Sequence, residues 1–261
     1  MSEEFSIAAG RFAAALREQR AMHLPGGLYY LNQVEFAYNS NRIEGSRLTE
    51  DQTRYLYQTR TVTGDALLDD VVETANTFRL FDQMLDHVGT PITTQIMKAY
   101  HSTLKSGTED ADKEWFAVGD WKRVPNVVGA RDTPTTPPAE VEAAIASLLA
   151  GTPERMSFED ICDFHYRFER IHPFQDGNGR IGRILMFEQC LDNDIMPFIV
   201  LDSEKSFYYR GLDRYETEPG FLRDTFRHFQ DMYDARFGDY VPRPVDSAAR
   251  QDPNTAPLDT K

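Results

Sequence analysis

The chain has little with which to build a disulfide scaffold, cross a bilayer or grip nucleic acid. Its 261 residues contain two cysteines, Cys162 and Cys190. Two thiols far from a framework spacing argue against a stapled secreted domain and fit a reducing cytoplasm. No apolar run approaches the ~20 residues that span a bilayer, and the N-terminus shows no apolar signal stretch. Basic residues are scarce: 28 Lys and Arg stand against 42 Asp and Glu, for a net charge of −14. That balance disfavours nonspecific binding to nucleic acid or to an anionic membrane, so neither is expected as a partner. Strand-like alternation is rare and no internal repeat is present.

What remains is helical periodicity. Residues 7–20, 27–44, 49–59, 67–88, 93–104, 139–149, 158–171, 179–191, 205–215 and 221–237 place apolar side chains at helical spacing. Only residues 121–131 read as strand. The expected fold class is therefore all-α with a small β-hairpin. Residues 1–27 read as an N-terminal helical segment, 28–240 as the main domain, and 241–261 as a flexible tail with four prolines and few apolar residues.

One segment concentrates reactive chemistry: His172-Pro173-Phe174-Gln175-Asp176-Gly177-Asn178-Gly179-Arg180-Ile181-Gly182-Arg183. Pro173 discourages helix at His172, so a helix ends there. A second begins at Gly177 or Asn178, and its N-terminus offers free N–H donors and a partial positive charge, a natural phosphate site. Arg180 and Arg183 lie three residues apart near that end, with forked donors suited to phosphate oxygens. Asp176 is a hard oxygen ligand suited to Mg²⁺. His172 is matched to proton removal near neutral pH. Gly-Asn-Gly alone is usually a turn, and a lone histidine at a helix end is usually packing. The conjunction of eight specified positions, however, arises by chance roughly once in 10¹⁰ trials.

The segment resembles the signature of the Fic domain, H-x-F-x-[D/E]-G-N-G-R-x-x-R, at every specified position. The resemblance implies a Fic-fold helical bundle and a role for each residue. His172 would be the general base, Phe174 the core anchor of the loop, and Asp176 the Mg²⁺ ligand. Gly177, Asn178 and Gly179 would cradle phosphate, while Arg180 and Arg183 would clamp the β- and γ-phosphates. The implied reaction moves AMP from Mg·ATP to a Ser, Thr or Tyr hydroxyl of a target protein.

Upstream, Ser40-Asn41-Arg42-Ile43-Glu44-Gly45 is similar to the family's inhibitory motif, [S/T]-x-x-x-E-[G/N]. It closes a helix expected over 28–45, which Gly45 is suited to end. By resemblance, Glu44 would pair with Arg183 and occupy the space that the γ-phosphate needs, with Ser40 as its motif partner. A carboxylate competing with a phosphate for one guanidinium makes a switch.

Two further segments are less specific. Residues 121–131, followed by Pro137-Pro138, are similar to the family's flap, which would pair its edge, through Val124, Val127 and Val128, with an extended target segment. The 208–212 segment is similar to the family's Y-Y-x-x-L, which would place Tyr209 and Leu212 at the adenine. Some relatives carry an Asn four residues after that Leu; here the position is Glu216, which leaves base preference open. His165 and Cys162 lack a third ligand at structural zinc spacing, so zinc is not expected.

The expected function is a protein adenylyltransferase held off by Glu44, using ATP and Mg²⁺, with self-modification and a homo-oligomer as open possibilities. Two alternatives stand beside it. The same site could hydrolyse an AMP–protein bond, or the chain could be a nucleotide-sensing interaction module with residual activity.

Overall fold

A computed structural model of the chain describes residues 10–128 and 133–240. Ten α-helices run through them: α1 (Arg11–Met22), α2 (Leu28–Ile43), α3 (Glu50–Thr59), α4 (Leu68–His87), α5 (Thr94–Lys105), α6 (Val141–Ala150), α7 (Phe158–Ile171), α8 (Asn178–Asp192), α9 (Lys205–Arg214) and α10 (Gly220–Phe237). The fold is all-α, as expected, and each helix lies within a few residues of its periodic segment. Helix starts follow local chemistry. Thr49 with Gln52, and Ser157 with Asp160, form reciprocal capping boxes at α3 and α7. The tail expected from residue 241 lies outside the described residues, as do residues 1–9.

The strand signal shrinks on folding. β1 (Val127–Val128) pairs antiparallel with β2 (Thr133–Pro134), with Val127 opposite Pro134 and Val128 opposite Thr133. Residues 121–126 do not extend the ladder. Trp121 and Lys122 turn inward instead and are buried, the Lys122 N–H donates to the Pro173 carbonyl at 2.8 Å, and Pro125 has no N–H to give.

α8 is the axis of the molecule. Every residue from Asn178 to Leu191 is buried, and α2, α4, α5 and α7 pack around it. A helix buried on all sides must pair whatever polar groups it carries. Glu188, near its C-terminal end, accepts from Tyr100 Oη at 2.9 Å and meets His87 Nδ1 at 2.5 Å. Arg180 and Arg183, near its N-terminal end, carry the polar load of the site.

α2 ends in a Schellman motif. Ser46 N–H donates to the Asn41 carbonyl and Gly45 N–H to the Arg42 carbonyl, with Gly45 at φ +101°. The turn leaves Glu44 at the cap just past Ile43, with its side chain reaching across to α8.

α9 and α10 approach closely at Gly211, where a Cβ would lie 2.8 Å from the Leu222 Cα. Gly211→Ala is expected to destabilise the protein by about 1–3 kcal/mol, as overpacked cores do, read as a lowered thermal unfolding midpoint. An unchanged midpoint would contradict this packing.

Candidate active site

His172 terminates α7 in the left-handed region, at φ +51°. Such a conformation is uncommon outside glycine and turns the chain sharply into Pro173. Phe174 then drops into the core with no exposed surface, stacked on His101 at 4.1 Å. Asn178 closes the loop from the far side. Its Oδ1 accepts from Phe174 N–H at 2.8 Å and its Nδ2 donates to the Phe174 carbonyl at 2.9 Å. The asparagine side chain therefore holds the loop's own backbone and is not directed at an incoming group.

The amide end of α8 is open. Gly177 stands before it at φ +80°, and no side chain caps the first turn. Such uncapped N–H groups at a helix N-terminus favour an anion.

Arg183 is 2% exposed and is claimed from α2. Its Nε donates to Ser40 Oγ at 3.0 Å, and its NH2 donates both to the Ser40 carbonyl at 2.9 Å and to Glu44 Oε1 at 2.6 Å. The expected Glu44–Arg183 pair is thus present, with Ser40 supplying two of the bonds. Gly179 makes the approach possible: a Cβ there would collide with the Glu44 carboxylate.

Asp176 and Arg180 belong to a second cluster. Arg180 NH2 donates to Asp176 Oδ2 at 3.0 Å, and its NH1 donates to Glu73 and, at 3.4 Å, to Asn41 Oδ1. Lys105, 2% exposed, donates to Asp176 Oδ2 at 2.8 Å, Glu73 Oε1 at 2.5 Å and Asp110 Oδ2 at 3.0 Å. Burial would raise the Asp176 pKa, but the Arg180 and Lys105 charges outweigh it and hold the carboxyl well below its usual range. Glu73 comes from α4, Lys105 is the last residue of α5 and Asp110 follows that helix; all are distant in sequence from the motif, and only folding reveals them. Arg180, expected at a phosphate, is here bonded to two carboxylates.

No group of three or more His, Cys, Asp or Glu residues able to hold a metal occurs among the described residues. The Asp176 side chain is 46% exposed and ionised. One carboxylate suits a Mg²⁺ ion that arrives on phosphates and keeps its waters, not a resident ion in a protein cage.

Beside the helix end lies a cavity of about 780 Å³. Its lining joins His172, Arg183, Glu44 and Gly179 to Tyr209 and Leu212 of α9 and to Val127, Val128 and Thr133 of the hairpin. Residues singled out in four separate sequence segments thus line one cavity. Tyr209 Oη donates to the Ile43 carbonyl at 3.0 Å, tying α9 to the end of α2. Glu216, the position that left base preference open, accepts from Tyr166 Oη at 2.9 Å. Val124 stands outside the cavity, 42% exposed, with its N–H on Gln175 Oε1.

Three buried imidazoles, His172, His101 and His165, are held neutral. Burial, then the Lys122 charge, lowers His172 to about 4. Burial, then Lys105, lowers His101 to about 4, and burial, then Arg183, lowers His165 to about 3. Lys122 itself, bonded to Asn126 Oδ1 at 2.7 Å and Thr135 Oγ1 at 2.5 Å, is pushed by burial down to about 8. A histidine whose folded pKa lies below its unfolded value of about 6.5 binds fewer protons folded than unfolded between the two. Each of these imidazoles should therefore take stability away as pH drops from about 6.5 towards 4, against carboxyls raised by burial, such as Glu169, which work the other way. Replacing the His165 imidazole with Gln should make the urea midpoint fall less, or rise more, over that window, and an unchanged pH dependence would contradict a buried neutral group there.

Comparison with known proteins agrees with this architecture. The Fic/DOC family model matches residues 91–190. The chain is 25% identical over 206 residues to Protein adenylyltransferase Fic of Nematostella vectensis, covering 68% of this chain and 42% of that protein. It is 26% identical over 189 residues to Protein adenylyltransferase Fic of Drosophila erecta, covering 67% and 35%. The chain thus spans less than half the length of these curated relatives. In three dimensions it is similar to a Fic family protein from Desulfovibrio desulfuricans G20, with a TM-score of 0.69 at 22% identity over 92% of this chain and 77% of that one. A Fic domain containing signaling protein from Bacteroides thetaiotaomicron gives 0.66 at 24% identity over 87% and 93%. Residues 91–190 thus match the Fic/DOC family model, and the chain is similar in fold to these structures.

Proposed function

We propose that this chain is a protein adenylyltransferase, transferring AMP from Mg·ATP to a hydroxyl side chain of a protein and restrained by its own α2. The observation that carries the reading is the Arg183 guanidinium, held by Ser40 and Glu44 at the open amide end of α8, in the cavity that His172 also lines. A triphosphate whose terminal group reached Arg183 would lie along that helix end, with its α-phosphorus towards His172. The target hydroxyl oxygen then bonds to the α-phosphorus while the bond to the bridging α–β oxygen breaks. The proton passes to the neutral imidazole of His172, and pyrophosphate leaves with the bonding pair.

Asp176 would hold Mg²⁺ on the phosphates, which neutralises their oxygens during transfer. Arg180 then serves by fixing Asp176, and reaches a phosphate only by exchanging Glu73 for it. Tyr209 and Leu212 would face the base. The exposed Val127 of the hairpin would offer its edge to an extended target segment, a mode that needs little side-chain matching. The names of the adenylyltransferase relatives support the reaction class. Glu44 would restrain the enzyme by holding Arg183 from the γ-phosphate.

The same carboxylate supports a second reading. Glu44 lies in the cavity with His172, where it could orient a water for removal of AMP from a modified protein.

Incubation with α-labelled and, separately, γ-labelled ATP should transfer label from the α position alone. Label from the γ position would mean phosphoryl transfer and sink the proposal. Glu44→Gly should raise transfer about 10- to 100-fold, the worth of a charge-assisted competitor; a rate equal to wild type across ATP concentrations would refute restraint by Glu44. His172→Ala should lower transfer by about 10²–10⁴ while nucleotide binding persists. Loss of AMP from a pre-modified protein, faster with Glu44 than with Gly, would favour the hydrolytic reading.

A further inference from the structure

Arg183 is flanked by two carboxylates, and the reaction above uses only one. Glu44 approaches from the end of α2. Glu169 approaches from α7, 7% exposed, with its Oε1 lacking any hydrogen-bond partner among the described residues. α8 makes room for both with glycine. A Cβ on Gly179 would strike the Glu44 carboxylate, and a Cβ on Gly182 would strike that of Glu169. The two glycines are three residues apart and so share one face of the helix, beside Arg183. Glu44, Glu169, Gly179 and Arg183 all line the same cavity.

We propose that Glu169 is a positioning residue and a second counter-ion for Arg183: when Glu44 withdraws, Glu169 ionises, pairs with the guanidinium and competes with the γ-phosphate for it. The proposal deepens the reading that Arg183 receives a phosphate, and rests on it.

The charges around Glu169 set the sequence of events. Burial pushes it up to about 8, against the pull of Arg183, and the charge of Glu44 pushes in the same direction as burial. The groups that face it are Arg183 on α8, Glu44 on α2, the buried Tyr208 and half-buried Tyr209 on α9, and the neutral His165 one turn earlier on α7. While Glu44 holds Arg183, a second anion would be a like charge in the same buried space, so Glu169 keeps its proton. Once Glu44 leaves, that repulsion is gone and Arg183 is a buried cation without a partner. Both changes favour the ionised acid. A triphosphate that takes Arg183 must then return Glu169 to its neutral form, so binding draws a proton from solution.

The test is nucleotide binding, measured with Mg·ATP on the full chain. In Glu44→Gly, affinity should fall as pH rises from about 6.5 to about 8.5, approaching tenfold per unit once Glu169 is ionised. In Glu44→Gly with Glu169→Gln, affinity should hold nearly constant over that range. Lys122 titrates in the same window but is common to both proteins, so their difference belongs to Glu169. A second readout needs no change at Glu169: calorimetry of Glu44→Gly in buffers of different ionisation enthalpy should show proton uptake on binding. Equal pH dependence in the two variants, or the absence of uptake, overturns the proposal. Neither readout involves transfer. Tight, pH-linked binding without AMP transfer would count against the proposed reaction alone, whereas no binding at any pH would count against both.

Discussion

A buried guanidinium cannot stand alone, and the site is organised around that constraint at Arg183. Leaving such a charge without a partner costs about 3–5 kcal/mol. The fold answers with Ser40 and Glu44 from α2, three bonds from one helix end onto one side chain. The pairing ties the N-terminal helices to the motif helix. It also places a carboxylate where the proposed reaction needs a phosphate.

Much of the surrounding structure serves that contact. The Schellman turn at Gly45 stops α2 at Ile43 so that Glu44 caps its end. The glycines of α8 leave space where larger residues would collide with Glu44 and Glu169. Tyr209, bonded to the Ile43 carbonyl, fastens α9 to the same helix end. The second cluster, around Lys105, keeps Asp176 ionised and in place. The two clusters divide the motif's arginines: Arg183 faces the cavity, and Arg180 supports the carboxylate beside it.

Helix positions, the all-α class and the motif were legible because they depend on local apolar spacing and on a run of specified residues. The Glu44–Arg183 pair was legible only through resemblance, since 139 residues separate the partners. The groups that the sequence did not reveal share one physical cause. Glu73, Lys105 and Glu169 on helices, Asp110 in a short turn and Lys122 at the start of the expected flap carry no local signal of their own, and their chemistry arises from burial beside charges brought from elsewhere in the chain. The hairpin was overextended because β-forming residues at Trp121 and Val124 are used for inward packing and loop contacts. The Asn178 side chain clamps the backbone of its own loop, a use that its place in the motif did not reveal.

The central claim is that Glu44 and a γ-phosphate compete for one side chain. The direct test is the affinity of ATP and of ADP for the wild-type chain and for Glu44→Gly at neutral pH. If the competition is real, removing Glu44 strengthens ATP binding about tenfold or more and leaves ADP, which has no γ-phosphate, nearly unchanged. An equal gain for both nucleotides, or none for either, would contradict it.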